Sequence, residues 1–205
     1  MRNGMILGIV ALAFGLAGCG ESARDQDPQI EFWNALSALC GQAFEGTLTE
    51  GSEGARENFG SQVMVMHVRH CEETQIDVPF HVGENRSRTW VFTQQEGGLR
   101  LKHDHRHEDG SEDEVTQYGG DTAGDGTPTV QEFPADAFSI EMFAAHVEET
   151  PGLAGAEFNV WTVEVRPGEV FAYQLTRSND PDTRFRVEFD LSAPVPAPPS
   201  AWGHD

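Results

Sequence analysis

The stretch Leu99–Gly110 reads LRLKHDHRHEDG and alternates between two kinds of side chain. Successive side chains of a β-strand point to opposite faces. One face therefore carries an apolar start followed by imidazoles: Leu99, Leu101, His103, His105 and His107. The other face carries basic and acidic side chains, which is typical of a surface in contact with water. The pattern predicts a strand that leaves an apolar core and ends at the mouth of a cavity, beside a turn at Asp109-Gly110.

The same period of two recurs on both sides of this stretch. The segment Arg184–Leu191 (RFRVEFDL) alternates charged and apolar residues throughout, and Pro167-Gly168 favours a type II turn before it. Further strands are predicted over Phe44–Leu48, Val63–Cys71, Gln75–Val82, Ser87–Gln94, Glu114–Tyr118, Phe158–Val165 and Glu169–Arg177. The segments Gly51–Gly60 and Gly119–Thr129 are predicted to be loops.

Two segments have helical spacing instead. Asp27-Pro28 supplies a cap and a first-turn proline, and the apolar residues from Phe32 to Leu39 then fall on one stripe. Pro134–Val147 predicts a second, inserted helix. The expected fold is all-β dominated: one antiparallel β-barrel or sandwich over residues 28–191, with a short N-terminal helix and the inserted helix. Residues 192–205 are expected to form a proline-rich tail whose Trp202 docks back.

An aromatic-bearing helix ahead of a meander, with Arg184 and Arg186 in the last strand, resembles the calycin arrangement of lipocalins. The resemblance implies a lipocalin-like barrel in which a late basic residue packs over the N-terminal aromatic. The Gly-x-Trp signature of lipocalins is absent, because Gly41 is followed two residues later by Ala43.

The histidines predict a metal site as one alternative. Two histidines at positions i and i+2 of a strand project in parallel and can chelate one divalent ion, with His67 or His81 as a ligand from a neighbouring strand. His105-x-His107 with Glu112 and Gly119 also resembles the first metal motif of cupins, which implies a cupin-like shape and bound zinc, iron or copper. The candidate ligands are His103, His105, His107, His67 and Glu112. The other alternative is an exposed hairpin whose histidines pair with acids.

Charge excludes one class of partner. The formal net charge is −21, and Lys102 is the only lysine. Such a surface repels phosphate backbones, so a nucleic-acid partner is not expected. About 186 residues beyond the N-terminal segment suffice for one domain with a core. We expect a monomer.

The N-terminus has the features of an export signal. Arg2 precedes the apolar run Met5–Leu16, which is too short for a permanent membrane span. The sequence Leu16-Ala17-Gly18-Cys19 resembles the lipobox of bacterial lipoproteins. The resemblance implies a signal peptide over residues 1–18, a diacylglycerol and a further acyl chain (palmitate) on Cys19, and a tether over residues 19–27. Gly20 implies an outer-membrane location, facing the periplasm or the cell surface.

Cys40 and Cys71 remain as a pair. In an oxidising periplasm they are expected to form a disulfide, which would stabilise the fold by about 3–4 kcal/mol on the chain-entropy estimate. The alternative is a buried thiol at one position and a metal ligand at Cys71, which adjoins His70.

No catalytic residues can be assigned. The sequence has no Gly-x-Ser-x-Gly elbow and no phosphate-binding glycine loop ahead of a helix. If the barrel is hollow, four aromatic residues would line a ligand pocket: Trp90, Phe92, Trp161 and Tyr173. The sequence thus predicts an envelope lipoprotein that binds a small ligand. The alternatives are a metal-dependent, cupin-like enzyme or metal-binding protein that uses the histidine strand, and a structural envelope protein that binds another protein.

Overall fold

Alternating strands build one antiparallel sheet, which curls into a nearly closed barrel and confirms the predicted all-β fold class. The computed structural model describes residue 1 and residues 27–204. The remainder of the predicted signal peptide, Cys19 and the tether as far as residue 26 lie outside the described residues. None of the helices within residues 27–204 is long and apolar enough to cross a membrane.

The described part of the chain contains eleven strands and three α-helices. The helices are α1 (Pro28–Ser37), α2 (Glu53–Phe59) and α3 (Ala137–His146), and short 3-10 turns cover Pro151–Leu153 and Ala156–Phe158. The strands are β1 (Ala43–Glu50), β2 (Met64–His67), β3 (His70–Cys71), β4 (Gln75–Val82), β5 (Asn85–Gln95), β6 (Gly98–His105), β7 (Tyr118–Asp121), β8 (Val130–Pro134), β9 (Asn159–Arg166), β10 (Val170–Arg177) and β11 (Asp180–Val195).

The strand order is β7-β6-β5-β4-β2-β1-β11-β10-β9-β8, with β3 paired to β4. The two end strands, β7 and β8, meet at Gly119 and Gly120, which have no side chains to keep the backbones apart. The Asp136 amide donates to the Gly119 carbonyl (2.9 Å), and the Gly119 amide donates to Ser139 Oγ (2.8 Å). A Cβ on Gly120 would overlap the carbonyl oxygen of Pro134, so only glycine permits this approach.

Helix α1 closes one end of the barrel. The carboxylate of Asp27 caps the helix by accepting the Gln29 amide at 2.9 Å, as the sequence predicts. Phe32, Trp33 and Leu36 are buried in the core. The Gln29 side chain also donates to Thr122 Oγ1 and to the Gly124 carbonyl, which ties α1 to the segment after β7.

Several predicted element bounds are wrong. The predicted loop Gly51–Gly60 contains α2, because Ser52 caps it and Phe59 packs edge-on against Phe185. The predicted strand Glu114–Tyr118 is instead loop up to Tyr118, where β7 begins and runs into the segment predicted to be a loop. Two of the four residues of β7 are glycines, which have no side chains to alternate between apolar and polar, so the sequence pattern could not reveal this strand.

Cys40 and Cys71 form a disulfide across 31 residues of chain, so Cys71 is not a metal ligand. Strand β11 extends to Val195, and its last residues pair with Ala43 and Phe44 of β1 instead of forming tail.

Arg186 does not play the part that the lipocalin resemblance implies. Alternation along β11 turns its side chain outward, where it binds Glu164 (2.8 Å) and Glu188 (2.6 Å).

The chain end, residues 196–204, lies over the outside of the barrel, and we call it the C-terminal strap. Arg86 donates to the Ser200 carbonyl (3.0 Å) and accepts the Trp202 amide on its own carbonyl (3.1 Å). His204 Nε2 lies 2.7 Å from Asp104 Oδ2. The Asp104 side chain, predicted to face water, is only 3% exposed because the strap covers it.

Asp104 is the buried centre of this contact. Burial raises its pKa, but hydrogen bonds from His204 and Arg106 outweigh burial and hold the pKa below its ordinary value of 3.8. Gln117 Nε2 also donates to this carboxylate at 2.9 Å. The strap is therefore held by an ionised carboxylate.

Replacing the carboxylate in Asp104→Asn is expected to lower the free energy of unfolding by about 1–3 kcal/mol at pH 7. A carboxyl group whose pKa is lowered by folding stabilises above its unfolded pKa, and this stabilisation is lost as the pH falls through the folded pKa. The difference between variant and wild type should therefore shrink below about pH 4. Urea unfolding at pH 7 and pH 3 measures this difference in the free energy of unfolding, and Asp125→Asn, at an exposed position, is the control. An equal difference at both pH values would contradict this account.

Candidate functional site

The end of the barrel opposite α1 opens into a cleft of about 240 Å³. Alternation along β4, β5, β6, β10 and β11 turns most of its lining residues inward, and residues of α2 and β7 complete the lining. The cleft is lined by Phe59, Phe80, Arg88, Thr89, Trp90, His103, His105, Tyr118, Tyr173, Leu175 and Phe185. We call it the aromatic cleft.

Trp90 lies at the centre of the aromatic lining. Its ring stacks on Phe80 with centroids 4.8 Å apart and planes 13° apart, and on Tyr173 at 4.5 Å and 18°. These three rings come from β4, β5 and β10. Aromatic side chains in such contact present a large, rigid apolar surface.

His103 forms hydrogen bonds through both ring nitrogens. Nδ1 lies 3.0 Å from the Tyr118 carbonyl oxygen, and Nε2 lies 2.7 Å from the Tyr173 hydroxyl. A carbonyl oxygen only accepts, so Nδ1 carries the proton and Nε2 accepts from Tyr173. Burial lowers the pKa of His103 to about 3. The ring is therefore neutral near pH 7 and has no nitrogen left for a ligand.

His105 and Tyr118 form a second pair, nearer the opening. The Tyr118 hydroxyl lies 3.0 Å from His105 Nε2. Burial, followed by the nearby charge of Arg88, lowers the pKa of His105 to about 4. Burial also raises the pKa of Tyr118 to about 12. Both groups are neutral at pH 7.

Arg88 is a cleft residue that the sequence analysis missed. It pairs across β4 and β5 with Phe80 and across β5 and β6 with His105. Its guanidinium carbon lies 5.8 Å from the centre of the Phe59 ring. The available signal was its position, because residue 88 shares the inward face of β5 with Trp90 and Phe92.

A second cavity of about 410 Å³ adjoins the aromatic cleft and shares four lining residues with it: His105, Tyr118, Tyr173 and Leu175. Its outer wall comes from α3 and the 3-10 turns, with Trp161, Asp113 and Arg177 from the barrel and its loops. Arg177 Nε donates to Asn159 Oδ1 at 3.3 Å.

The structure divides the predicted pocket residues between three places. Trp90 and Tyr173 line the aromatic cleft, and Trp161 lines the adjoining cavity. Phe92 is 1% exposed and packs edge-on against Phe133 in the core, so it lines neither.

The five predicted metal ligands are not brought together. His103 and His105 face the cleft, whereas β6 ends before His107, which is exposed. Glu112 accepts from Arg106 at 3.2 Å across the hairpin. His67 lies on β2, with its pKa lowered first by burial and then by Arg69. Among the described residues, no group of three His, Cys, Asp or Glu side chains is placed to hold a metal ion.

No family model matches the chain, and neither the curated proteins nor the solved structures contain a match. The nearly closed antiparallel barrel is consistent with a lipocalin-like fold.

Removing one hydroxyl tests the His103 bond. Tyr173→Phe leaves His103 Nε2 without its donor inside the barrel, so we expect a loss of about 1–3 kcal/mol in the free energy of unfolding. Tyr118→Phe is the matched control, and its loss should be smaller because water in the open cleft can replace the bond to His105. Urea unfolding measures the free energy of unfolding of both variants. Equal losses would show that the Tyr173–His103 bond contributes no more than the Tyr118–His105 bond.

Proposed function

We propose that this protein binds a small, largely apolar ring compound in the aromatic cleft. The observation that carries the proposal is the stack of Phe80, Trp90 and Tyr173, which lines a cleft at the end of the barrel opposite α1. Ligand sites combine apolar walls with a few placed polar groups. Here those groups are Arg88 and the His105–Tyr118 pair.

The size of the cleft limits the ligand. Ligand pockets run from about 300 to 1,000 Å³, so a cleft of about 240 Å³ is small. An apolar cavity of about 150 Å³ holds one benzene molecule. The aromatic cleft therefore suits one ring or two fused rings, and the adjoining cavity provides room for a substituent.

Binding of a neutral two-ring compound, 2-naphthamide, tests the proposal. Calorimetric titration of the purified protein should show one saturable site. Leu175→Phe places an extra ring in the cleft without removing core packing, and it should weaken binding at least tenfold.

Val63→Phe is the matched control, because Val63 is an exposed apolar residue outside the cleft. It should bind as the wild type does. Failure of the wild type to bind, or equal weakening in both variants, would contradict the proposal.

We also propose that the protein is a lipid-anchored envelope protein. The support is the sequence alone: Arg2, the apolar run Met5–Leu16 and the lipobox-like residues before Cys19. A lipid anchor of this kind would hold the barrel at a membrane without a spanning helix.

Expression of the full chain in a bacterial host with an alkyne-labelled palmitate tests the anchor. The wild type should incorporate label and, by mass spectrometry, begin at Cys19. Cys19→Ser should lose the label, whereas Cys71→Ser should keep it. Label retained in Cys19→Ser, or an N-terminus elsewhere, would overturn the anchor.

A further inference from the structure

Arg88 is the one charged residue among those that line the aromatic cleft. The two imidazoles and two phenols in the lining are neutral at pH 7, and the lining contains no Asp or Glu. A charge beside apolar walls interacts with a ligand more strongly than it would in water, because the walls screen it less. Arg88 is therefore the one charged group that the lining offers to a ligand, in a chain with 34 acidic and 13 basic residues.

The described residues leave this arginine without a carboxylate within 4.0 Å. Elsewhere in the described part, six basic residues have one: Arg100, Lys102, Arg106, Arg166, Arg184 and Arg186. Arg88 has only neutral acceptors, Asn85 Oδ1 (3.2 Å) and Ser87 Oγ (3.3 Å), and both bind Nη1. Within the same described part, its Nε and Nη2 hydrogens have no protein acceptor. These are the two groups that bind a carboxylate in a two-pronged contact.

A further donor lies directly across the ladder. Arg88 and His105 are paired residues of β5 and β6, whose side chains lie about 5 Å apart at Cβ. If the Tyr118 hydroxyl donates to His105 Nε2, then His105 Nδ1–H remains; if Nε2–H donates to Tyr118, then the hydroxyl hydrogen remains. Either arrangement leaves one hydrogen for an outside acceptor.

Building on the proposed function, we propose that the ligand is a small aromatic carboxylic acid of one or two fused rings. Its ring lies against Trp90 and Tyr173, and its carboxylate accepts hydrogen bonds from Arg88 and from the His105–Tyr118 pair. The carboxylate accepts from the Arg88 hydrogens that have no acceptor among the described residues. The apolar walls bury the ring.

Two nearly isosteric probes separate this inference from the proposed function. Calorimetric titration at pH 7 compares 2-naphthoic acid, which is an anion there, with neutral 2-naphthamide. The acid should bind about 10- to 100-fold more tightly, the order expected for a charge-assisted hydrogen bond. Arg88→Gln should abolish that preference, because the acid loses its charged partner and should weaken far more than the amide, and Arg88→Lys should restore part of it.

Arg177→Gln is the matched control, because Arg177 lines only the adjoining cavity; the preference for the acid should persist in it. Equal affinities in the wild type would overturn the inference and leave the proposed function standing. A preference that survives Arg88→Gln, or that disappears in Arg177→Gln, would also overturn the assignment to Arg88. If neither compound binds the wild type, the proposed function and the inference both fail.

Discussion

Burial of His103 inside the barrel imposes the constraint on which the open end depends. An imidazole in an apolar interior costs free energy unless its polar atoms are bonded, and the partners of His103 come from two other strands. The Tyr118 carbonyl belongs to β7 and the Tyr173 hydroxyl to β10. In the sheet order β7 is one end strand and β10 lies two strands from the other, so the two flank the seam where β7 meets β8. The bonds therefore fix the positions of two walls of the aromatic cleft, together with the protonation of the ring between them.

The two ends of the barrel differ because different elements cover them. Helix α1 fills one end with Phe32, Trp33 and Leu36, which are buried in the core. At the other end, aromatic residues of the barrel line a cleft, Phe59 of α2 contributes to its lining, and Phe143 of α3 lines the adjoining cavity. The charged groups follow the same division. Six basic residues of the described part pair with acids, whereas Arg88 lines the cleft and its Nε and Nη2 hydrogens have no acceptor among the described residues.

Much of the fold follows from the period of side chains along the sequence. Strand β4 has the predicted bounds, and α1 begins at the predicted cap. Strand β7 could not be predicted, because glycines close the barrel through bare backbone. The inward face of β6 was correct up to His105, but the hairpin bond between Arg106 and Glu112 turns the chain before His107 can follow. Arg88 was within reach of the same periodicity.

The four tryptophans provide the most direct test of a ligand cleft at this end of the barrel, because each reports a different place: Trp33 the plug, Trp90 the cleft, Trp161 the adjoining cavity and Trp202 the strap. Nitrogen-15 NMR of the indole N–H groups during addition of 2-naphthamide distinguishes them. A cleft at the open end predicts that the Trp90 signal moves most, with Trp161 next and with Trp33 and Trp202 unchanged. Movement of Trp33 or Trp202 with a stationary Trp90 would contradict it.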